Sequence, residues 1–557
     1  MTTSSPLSER WPRLLELTWY DALDEAIERL GAEHTAFVFE GPDWASSLTL
    51  GQWRTATLLA SAALAALGAR PGDCVAALGP GGPMWPIVQL ACSHLGTILV
   101  PINSRYRHDE MVHVLRMSEP VVVIAAERVH TVDTLALLQR AAHHADVAPR
   151  FVALSSADVA LGAHSAPTVQ PAGDAVLTWD EFLSLGAQSP VPVAATDAAA
   201  SVLVQFTSGT TAFAKGALLS AGATLGATYH LAQRMGLTHE DRCFSTQPFY
   251  HVGGSVATTL MPLGIGCTMV APERYTVEET FRIIPKHRCT ARTGQAAMYW
   301  MELGHERFSP EIFATVSKGW AGGTYELLKL IVDRMGITGL TQVYGMTEVA
   351  ATTTVPPFDA PEPERLGTCG RPLPDLEVGI LGEDGVDTAP SAGPGEVCIR
   401  GWSLMNGYLG DVAATAATVD DDGWLHSGDL GRLDADGNLL IVDRLKDMIK
   451  PGGENVSPAE VERVISTLSG VIQVSVVGVP DERLGEVPVA FVEVRPGSEQ
   501  TGDAIIASCA AEMASFKVPR QVHFVTEWPM TESGKIQKPA LRERAAGDRT
   551  SIIGATG

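Results

Sequence analysis

Clustered positive charge is what this 557-residue sequence most clearly lacks. Lys and Arg number 40 against 64 Asp and Glu, which gives a formal net charge of −24. Affinity for a nucleic-acid backbone comes from clustered Lys and Arg, so nucleic acid is not expected as a partner. An acidic chain that binds a polyphosphate must concentrate its few cations at one place.

Paired cysteines and long apolar runs are also missing. The eight cysteines are dispersed without a Cys-x-x-Cys pair, which favours a reducing cytosol over a disulfide framework or a zinc site. The amino end has no apolar core after a basic start, so no secretory signal is predicted. The longest apolar stretch, residues 85–102, is interrupted by polar residues, Gly96 and Pro101, and predicts a buried helix followed by a strand. A cytoplasmic protein without a transmembrane segment is expected.

The length predicts two or more domains, because single hydrophobic cores stop growing at about 250–300 residues. Short apolar runs such as 74–78, 97–101 and 121–125 alternate with helical patterns. This alternation predicts a doubly wound, mostly parallel sheet. The stretches 155–175 and 186–200 are rich in Ala, Ser, Pro and Gly, and they predict surface loops between two such halves.

From about residue 365 to 443, Asp-Gly turns separate short strands and predict hairpins of a small barrel-like subdomain. After Arg444 a mixed α and β pattern returns. The predicted fold class is therefore α/β, with a hinge between two domains. The N-terminal domain is predicted at 1–443, with layered halves at about 1–200 and 201–364 and the β subdomain at 365–443, and a smaller α+β C-terminal domain at 444–557.

Residues 207–216, TSGTTAFAKG, form a small, hydroxylated and glycine-containing segment after the apolar run 201–206. Such a segment suits a polyphosphate, because small side chains let backbone N–H groups approach its oxygens and Lys215 adds charge. It departs from the Walker pattern, since Lys215 lies between Ala214 and Gly216. On its own, the segment is also compatible with an ordinary turn after a strand.

Four more polar clusters follow apolar runs downstream. They are YGMTE at 344–348, GWLHSGD at 423–429, DRLKD at 443–447 with GGEN at 452–455, and PMTESGKIQK at 529–538. In this order the five clusters resemble the adenylate-forming superfamily of acyl-CoA synthetases, luciferases and peptide-synthetase adenylation domains, over about residues 20–544. The resemblance implies ATP, Mg²⁺ and coenzyme A as cofactors. It also implies that a carboxylic acid is activated as an acyl-adenylate before a thiol attacks it.

The resemblance assigns most candidate residues to the nucleotide. Thr347 is expected to hydrogen-bond the α-phosphate, and Glu348 is expected to bind Mg²⁺. Tyr344 is expected to offer its ring face to the adenine. Asp429 is expected to accept hydrogen bonds from the ribose hydroxyls, with Arg444 on the ribose and phosphate side. The other nucleotide candidates are Thr207, Ser208, Gly209, Thr210, Thr211 and Lys215 in the phosphate loop, and Gly322 and Gly323 at the adenine edge. Ala212 and Ala214 replace the family's usual glycine and proline, which would loosen loop closure if a positive φ were needed.

Lys535 is the main catalytic candidate, because by resemblance it neutralises repulsion between the acid's carboxylate and the α-phosphate. A solvated helix-cap lysine is the alternative for an isolated Gly-Lys pair. Lys446 matches the family's hinge position, and Gly452 and Gly453 match the strand that lines the pantetheine tunnel. His251, in the segment PFYHVGG, matches a motif beside the acyl pocket, where a core histidine is the alternative.

The predicted function is an ATP-dependent acyl-CoA ligase in fatty-acid or specialised metabolism. No motif places a cationic side chain at the acyl pocket. A fatty, aromatic or bulky alicyclic monocarboxylic acid is therefore favoured over a dicarboxylate as the substrate. An enzyme that loads a carrier protein or performs one half-reaction remains an alternative, and a luciferase-like oxygenase would share every motif. The intact motifs disfavour a catalytically silent paralogue. The oligomeric state stays open, although homodimers are common in the family.

Overall fold

The computed structural model describes residues 11–155, 176–207, 214–382, 385–451, 454, 456–481, 483–530 and 536–553. It divides into two compact units, Met1–Glu377 with Ile399–Leu425 (unit 1) and Val378–Cys398 with His426–Gly557 (unit 2). The strands are β1 Thr35–Glu40, β2 Ala45–Thr49, β3 Cys74–Leu78, β4 Ile98–Pro101, β5 Val122–Ala126, β6 Arg128–Val129, β7 Val132–Asp133, β8 Arg150–Leu154, β9 Leu177–Thr178, β10 Ser201–Phe206, β11 Gly216–Ser220, β12 Arg242–Ser245, β13 Thr268–Pro272, β14 Ala291–Gln295, β15 Lys318–Gly322, β16 Gly339–Thr341, β17 Leu376–Gly382, β18 Gly385–Asp387, β19 Gly395–Gly401, β20 Gly407–Tyr408, β21 Leu425–Leu433, β22 Leu439–Arg444, β23 Val471–Asp481, β24 Gly485–Val494 and β25 Gln521–Phe524.

Helices alternate with these strands through most of the chain. Several begin at a threonine that caps them: Thr18 accepts a hydrogen bond from the Asp21 N–H, and the Asp21 carboxylate accepts one from the Thr18 N–H. The α-helices are α1 Trp19–Leu30, α2 Leu50–Ala66, α3 Met84–Leu95, α4 His108–Ser118, α5 Thr134–Ala145, α6 Trp179–Ala187, α7 Ala221–Arg234, α8 Val252–Ser255, α9 Met261–Gly264, α10 Val277–Lys286, α11 Ala296–Gly304, α12 Tyr325–Met335, α13 Glu362–Gly367, α14 Val412–Thr418, α15 Pro458–Ser466, α16 Gly502–Glu512 and α17 Lys538–Ile553.

Unit 1 contains a seven-stranded sheet in the order β16-β15-β14-β12-β13-β1-β2. Its pairs are parallel except for the β1–β2 hairpin, which closes one edge. Parallel strands place their carboxyl ends at one edge of the sheet, and ligands of open α/β sheets bind beyond that edge. The segments that follow β12, β14, β15 and β16 are therefore brought together at one edge.

A second sheet of unit 1 has eight strands in the order β20-β11-β10-β4-β3-β5-β8-β9. β10 and β11 form an antiparallel hairpin, and β10 pairs in parallel with β4. The two sheets do not follow the predicted division at residue 200, because β1 and β2 join the seven-stranded sheet while β10 and β11 join the eight-stranded one. Periodicity identifies strands, but it does not specify which strand each one pairs with.

Both faces of the two sheets are buried, as expected for doubly wound sheets. Along β14 and β15, Ala291 and Trp320 belong to the large core that is shared with the second sheet, whereas Ala321 packs with α11 and α12 on the opposite face. Four fully buried tryptophans anchor the large core: Trp19, Trp53, Trp85 and Trp179.

A buried carboxylate ties β1 to α10. Glu40 is 1% exposed and contacts Arg282 Nη1 at 2.8 Å, Lys286 Nζ at 2.7 Å and His287 Nε2 at 2.5 Å. Burial alone would raise the pKa of Glu40, but the hydrogen bonds from these three side chains outweigh burial and lower it to about 2. Glu40 is therefore ionised in the folded chain at neutral pH.

Unit 2 contains an antiparallel hairpin, β23–β24, with β25 added in parallel to β24. One face of this sheet packs with Val461 and Ile465 of α15, and the other packs with Leu541 of α17. A separate five-stranded sheet has the order β18-β17-β19-β21-β22 and lies where the sequence predicted the small β subdomain. The predicted Asp436-Gly437 turn joins β21 and β22.

The strands expected near 74–78, 97–101 and 121–125 are all present. The α/β fold with a larger N-terminal and a smaller C-terminal part is confirmed. The hinge boundary at residues 443 and 444 stays a prediction. In the described part of the chain, no helix is both long enough and apolar enough to span a membrane.

Candidate active site

The predicted phosphate loop connects β10 to β11. Thr207 follows β10 directly, and its N–H donates to the Lys215 carbonyl at 2.9 Å, which closes the base of the loop. The middle of the loop lies outside the described residues, including the candidates Ser208, Gly209, Thr210 and Thr211 and also Ala212. The structure therefore places the two ends of the loop at the edge of a hairpin.

Lys215 is linked to Glu348 through Tyr408, a residue that sequence reasoning missed. Tyr408 lies on β20, which pairs with β11, and the Lys215 Nζ lies 5.0 Å from the centre of the Tyr408 ring. The Tyr408 hydroxyl donates to Glu348 Oε1 at 2.8 Å. Burial and then the nearby Glu348 charge raise the pKa of Tyr408, so the phenol stays protonated and remains a donor at neutral pH.

Thr347 and Glu348 form part of a short 3₁₀ turn beyond β16. A Cβ atom at Gly345 would lie 2.1 Å from the Ala351 carbonyl oxygen, so this position requires glycine. Ala350 and Ala351 have φ of 55° and 83°, a strained conformation for alanine that is often found at functional sites. The turn holds the buried Glu348 carboxylate, an oxygen ligand that suits Mg²⁺.

The adenine-edge candidates lie where β15 ends. A Cβ atom at Gly322 would meet no atom within 4 Å, whereas one at Gly323 would lie 3.1 Å from Leu327 Cδ2. Tyr344 is buried, and its backbone pairs with Thr354 beyond the neighbouring strand β16. Gly322 therefore borders open space at the carboxyl edge of the sheet.

His251 caps the short helix α8, because its Nδ1 accepts from the Gly253 N–H at 3.3 Å. The preceding peptide is fixed by Gln205, whose Nε2 donates to the Tyr250 carbonyl at 2.6 Å. A Cβ atom at Gly253 would lie 2.7 Å from Gln247 Oε1, so glycine lets α8 pack against Gln247. His251 has a local structural contact, and its proposed role in the acyl pocket stays a prediction.

Three buried polar atoms near the same sheet edge have no hydrogen-bond partner among the described residues. They are Gln247 Nε2, Thr293 Oγ1 and Trp320 Nε1, on side chains that are 5%, 3% and 6% exposed. The strand register aligns Thr293 with Trp320 and with Ser245, and Gln247 lies two residues beyond Ser245. A buried donor without a partner costs about 1–3 kcal/mol, so ordered water or a bound molecule is expected to supply the missing acceptors.

In unit 2, Asp429 and Arg444 lie opposite each other on β21 and β22. Arg444 Nε contacts Asp429 Oδ1 at 2.6 Å, and the Arg444 side chain is 44% exposed whereas that of Asp429 is 6% exposed. Lys446 follows in a 3₁₀ turn, where burial and then Arg444 lower its pKa. Gly452, Gly453 and Lys535 lie outside the described residues.

Of the residues that the sequence prediction missed, Gln247 directly precedes the PFYHVGG segment. Tyr408 ends the segment Met405–Tyr408, which belongs to none of the predicted motifs. The backbone N–H of Met405 donates to the Glu348 carbonyl at 2.8 Å. Only the pairing of β20 with β11 reveals that this distant segment contacts the Glu348 turn.

Two family models match this chain. A family model described as AMP-binding enzyme matches residues 23–409, and one described as AMP-binding enzyme C-terminal domain matches residues 460–535. The chain belongs to the AMP-binding enzymes. The two matches together cover most of the chain. They confirm the predicted membership of the adenylate-forming superfamily.

Relatives of this AMP-binding enzyme include named ligases. A 3-[(3aS,4S,7aS)-7a-methyl-1,5-dioxo-octahydro-1H-inden-4-yl]propanoyl:CoA ligase of Mycobacterium tuberculosis is 37% identical over 531 residues, which cover 94% of this chain and 98% of that protein. An indoleacetate–CoA ligase of Aromatoleum aromaticum is 32% identical over 504 residues, which cover 87% of this chain and 91% of that protein. These relatives confirm the prediction of an AMP-forming acid–thiol ligase.

Solved structures confirm the fold. ATP-bound MatB from Rhodopseudomonas palustris has a TM-score of 0.81 at 23% identity, covering 94% of this chain and 98% of that one. The anthranilate CoA ligase AuaEII in complex with anthranoyl-AMP also has a TM-score of 0.81 at 23% identity, covering 97% and 99%. The individual site residues stay predictions.

Proposed function

We propose that this AMP-binding enzyme is an ATP-dependent acyl-CoA ligase for a bulky, ring-bearing monocarboxylic acid that carries carbonyl groups. The row of unpartnered buried polar atoms at Gln247, Thr293 and Trp320 carries this substrate assignment. The proposed cellular location is the cytoplasm, in keeping with eight buried cysteines that form no disulfide.

The ligase activates the acid by letting its carboxylate attack the α-phosphorus of ATP. The carboxylate oxygen forms a bond to phosphorus, pyrophosphate leaves, and the CoA thiol then displaces AMP from the acyl carbon. Both steps build negative charge on oxygens, so positioned cations and donors lower the barrier. In this proposal Lys215 and the loop after Thr207 bind the terminal phosphates, and Thr347 donates to the α-phosphate.

Glu348 is proposed to hold Mg²⁺, with the Tyr408 phenol fixing the carboxylate through Oε1. The bound cation would neutralise the charge of the phosphate oxygens. In unit 2, Asp429 would accept hydrogen bonds from the ribose diol and Arg444 would contact the ribose and phosphate side. Lys535, Lys446 and the Gly452-Gly453 pair keep the roles that the superfamily resemblance implies.

The substrate class rests on the chemistry of the polar row. Gln247 Nε2 and Trp320 Nε1 only donate, and the Thr293 hydroxyl can also donate. Trp320 belongs to the large apolar core, and so does Phe249, two residues after Gln247, so a complementary ligand is mostly apolar with acceptor oxygens. A carbonyl-bearing fused-ring acid meets both requirements, and one is named in the 37% identical relative.

An acid panel tests this proposal in two assays. Acid-dependent exchange of labelled pyrophosphate into ATP measures adenylation, and mass spectrometry with CoA present measures thioester formation. The panel contains a dioxo-octahydroindenyl propanoate, the same bicyclic acid without its ring carbonyls, indoleacetate, octanoate and malonate. Each satisfied donor is expected to contribute about 0.5–1.5 kcal/mol, so kcat/KM should favour the dioxo acid by about 10-fold or more over its carbonyl-free match.

Two variants separate the donor role from the shape of the pocket. Gln247→Leu and Thr293→Val should remove most of the preference for the dioxo acid while retaining turnover of the carbonyl-free acid. Equal kcat/KM for both bicyclic acids in the native enzyme would contradict the proposed substrate class. Exchange without thioester would instead support a carrier-loading or half-reaction enzyme, and neither product across the panel would contradict the ligase itself.

A further inference from the structure

Three side chains with different ligand atoms converge on the five-stranded sheet of unit 2. Glu396 and Cys398 are two residues apart on β19, so they project from the same face, and His426 lies on the neighbouring strand β21. One ligand atom from each lies within 4.8 Å of the other two. The His426 Nδ1 is 3.0 Å from Glu396 Oε2 and 3.7 Å from Cys398 Sγ.

We propose that Glu396, Cys398 and His426 form a zinc site distinct from the proposed Mg²⁺ site at Glu348. Zinc bonds of about 2.3 Å to sulfur and about 2.0–2.2 Å to nitrogen and oxygen, at tetrahedral angles, separate sulfur from nitrogen by about 3.5 Å and nitrogen from oxygen by about 3.4 Å. These two separations differ from the expected values by only a few tenths of an ångström, and the ligand atoms of Glu396 and Cys398 lie within 4.8 Å of each other. Side-chain adjustment would bring all three ligand atoms to bonding distance of one ion.

The ligand types select zinc over the Mg²⁺ that the nucleotide site would take. Mg²⁺ requires oxygen ligands, whereas a mixed sulfur, nitrogen and oxygen set suits Zn²⁺. Cys398 is buried, while the side chains of His426 and Glu396 are 26% and 18% exposed. The partly exposed side leaves room for a water molecule as the fourth ligand.

A backbone contact already orients the carboxylate. The Gly428 N–H donates to Glu396 Oε1 at 2.9 Å, which leaves Oε2 directed at His426. Hydrogen bonds of this kind fix the ligands of metal sites in position. The dispersed cysteines gave no sign of this site, because its ligands come from two strands that are adjacent only in the folded sheet.

Zinc binding changes the protonation of the cluster in a defined way. The Cys398 thiol loses its proton to solvent and its sulfur binds the ion as a thiolate. The His426 ring then carries its proton on Nε2, so that Nδ1 is the ligand. Thiolate, carboxylate and Zn²⁺ together are neutral. Affinity should therefore rise with pH, by up to about tenfold per pH unit while the thiol is protonated in the zinc-free protein.

Titration of the full-length, chelator-treated protein tests the site, with Zn²⁺ alone and then Co²⁺ as probes. We expect one tight Zn²⁺ per chain, and a thiolate-to-cobalt charge-transfer band with the strong visible absorption of tetrahedral Co²⁺. Cys398→Ser and His426→Gln should each weaken Zn²⁺ binding by about 100-fold or more. Cys509→Ser, which alters another buried cysteine of unit 2, should leave binding unchanged.

The cobalt spectrum of the native chain keeps the proposal falsifiable even if a variant fails to fold. Absence of the thiolate band, or octahedral Co²⁺ only, would overturn the proposal. The same conclusion would follow if Cys398→Ser bound Zn²⁺ as tightly as the native chain. Loss of Zn²⁺ binding in Glu348→Gln with full retention in Cys398→Ser would assign the ion to the nucleotide site and likewise reject it.

Discussion

Removing the Tyr408 hydroxyl tests whether the link from Lys215 to Glu348 supports adenylation. Tyr408→Phe deletes the donor that contacts Glu348 Oε1 at 2.8 Å and retains the ring beneath the Lys215 ammonium. The variant therefore separates the hydrogen bond from the cation–π contact. Tyr408→Leu removes both and should be more severe.

The expected magnitude follows from the burial and charge of the acceptor. Glu348 is 8% exposed, and a hydrogen bond to a charged group contributes about 1.5–3 kcal/mol. If the carboxylate must be held in place for adenylation, this energy corresponds to a loss of about 10- to 150-fold in rate. Because Glu348 is the proposed Mg²⁺ ligand, the Mg²⁺ concentration for half-maximal activity should rise as well.

Pyrophosphate exchange measured across a range of Mg²⁺ concentrations provides the assay. Tyr229→Phe is the matched control, since Tyr229 is fully buried and its hydroxyl accepts from Gln233 within helix α7. An unchanged rate and Mg²⁺ requirement in Tyr408→Phe would refute the proposed positioning role. An equal loss in Tyr229→Phe would attribute the effect to general destabilisation.

Three further predictions concern stability, the adenine edge and the catalytic lysine. Glu40→Gln should lower the free energy of unfolding at pH 7 by about 2 kcal/mol. A pKa of about 2 in place of the usual 4.5 corresponds to ~3.4 kcal/mol. The expected loss is smaller because Arg282 and Lys286 are partly exposed, and solvent weakens their contacts with Glu40. In thermal melts, this difference should vanish as the pH falls from about 4.5 to about 2, and a constant difference would contradict it. Gly322→Ala should preserve the melting temperature, because a Cβ atom there meets no atom within 4 Å, and should raise the KM for ATP. An unchanged KM would contradict the assignment of Gly322 to the adenine edge. Lys535→Ala should abolish exchange yet spare thioester formation from supplied acyl-adenylate, and equal loss of both would argue against separate roles in the two steps.

Local sequence patterns predicted the positions of individual strands well, but they predicted less well which strands pair with each other. The run at Cys74–Leu78 is a buried strand because branched and small apolar residues are continuous there. Sequence distance hid the pairing of β20 with β11, since nearly two hundred residues separate these strands. Tyr408 was missed for this reason.

In the candidate site, too, some residues were predicted from sequence motifs and others were revealed only by the folded structure. The Asp429–Arg444 contact joins two residues that the sequence had assigned to the ribose, and the β21–β22 register explains it. Gln247 and Thr293 could not be recognised, because their significance lies in lacking hydrogen-bond partners within a buried row. Such a property depends on three-dimensional packing and has no signature in residue spacing.

An oxygen-isotope experiment tests the central claim of acyl-adenylate formation most directly. The preferred acid is labelled with ¹⁸O in both carboxyl oxygens and incubated with the enzyme, ATP and CoA. The masses of the products are then measured by mass spectrometry. Attack of the carboxylate on the α-phosphorus predicts one ¹⁸O atom in AMP and one in the acyl-CoA thioester. Unlabelled AMP, or ¹⁸O in inorganic phosphate with ADP as the nucleotide product, would contradict the account.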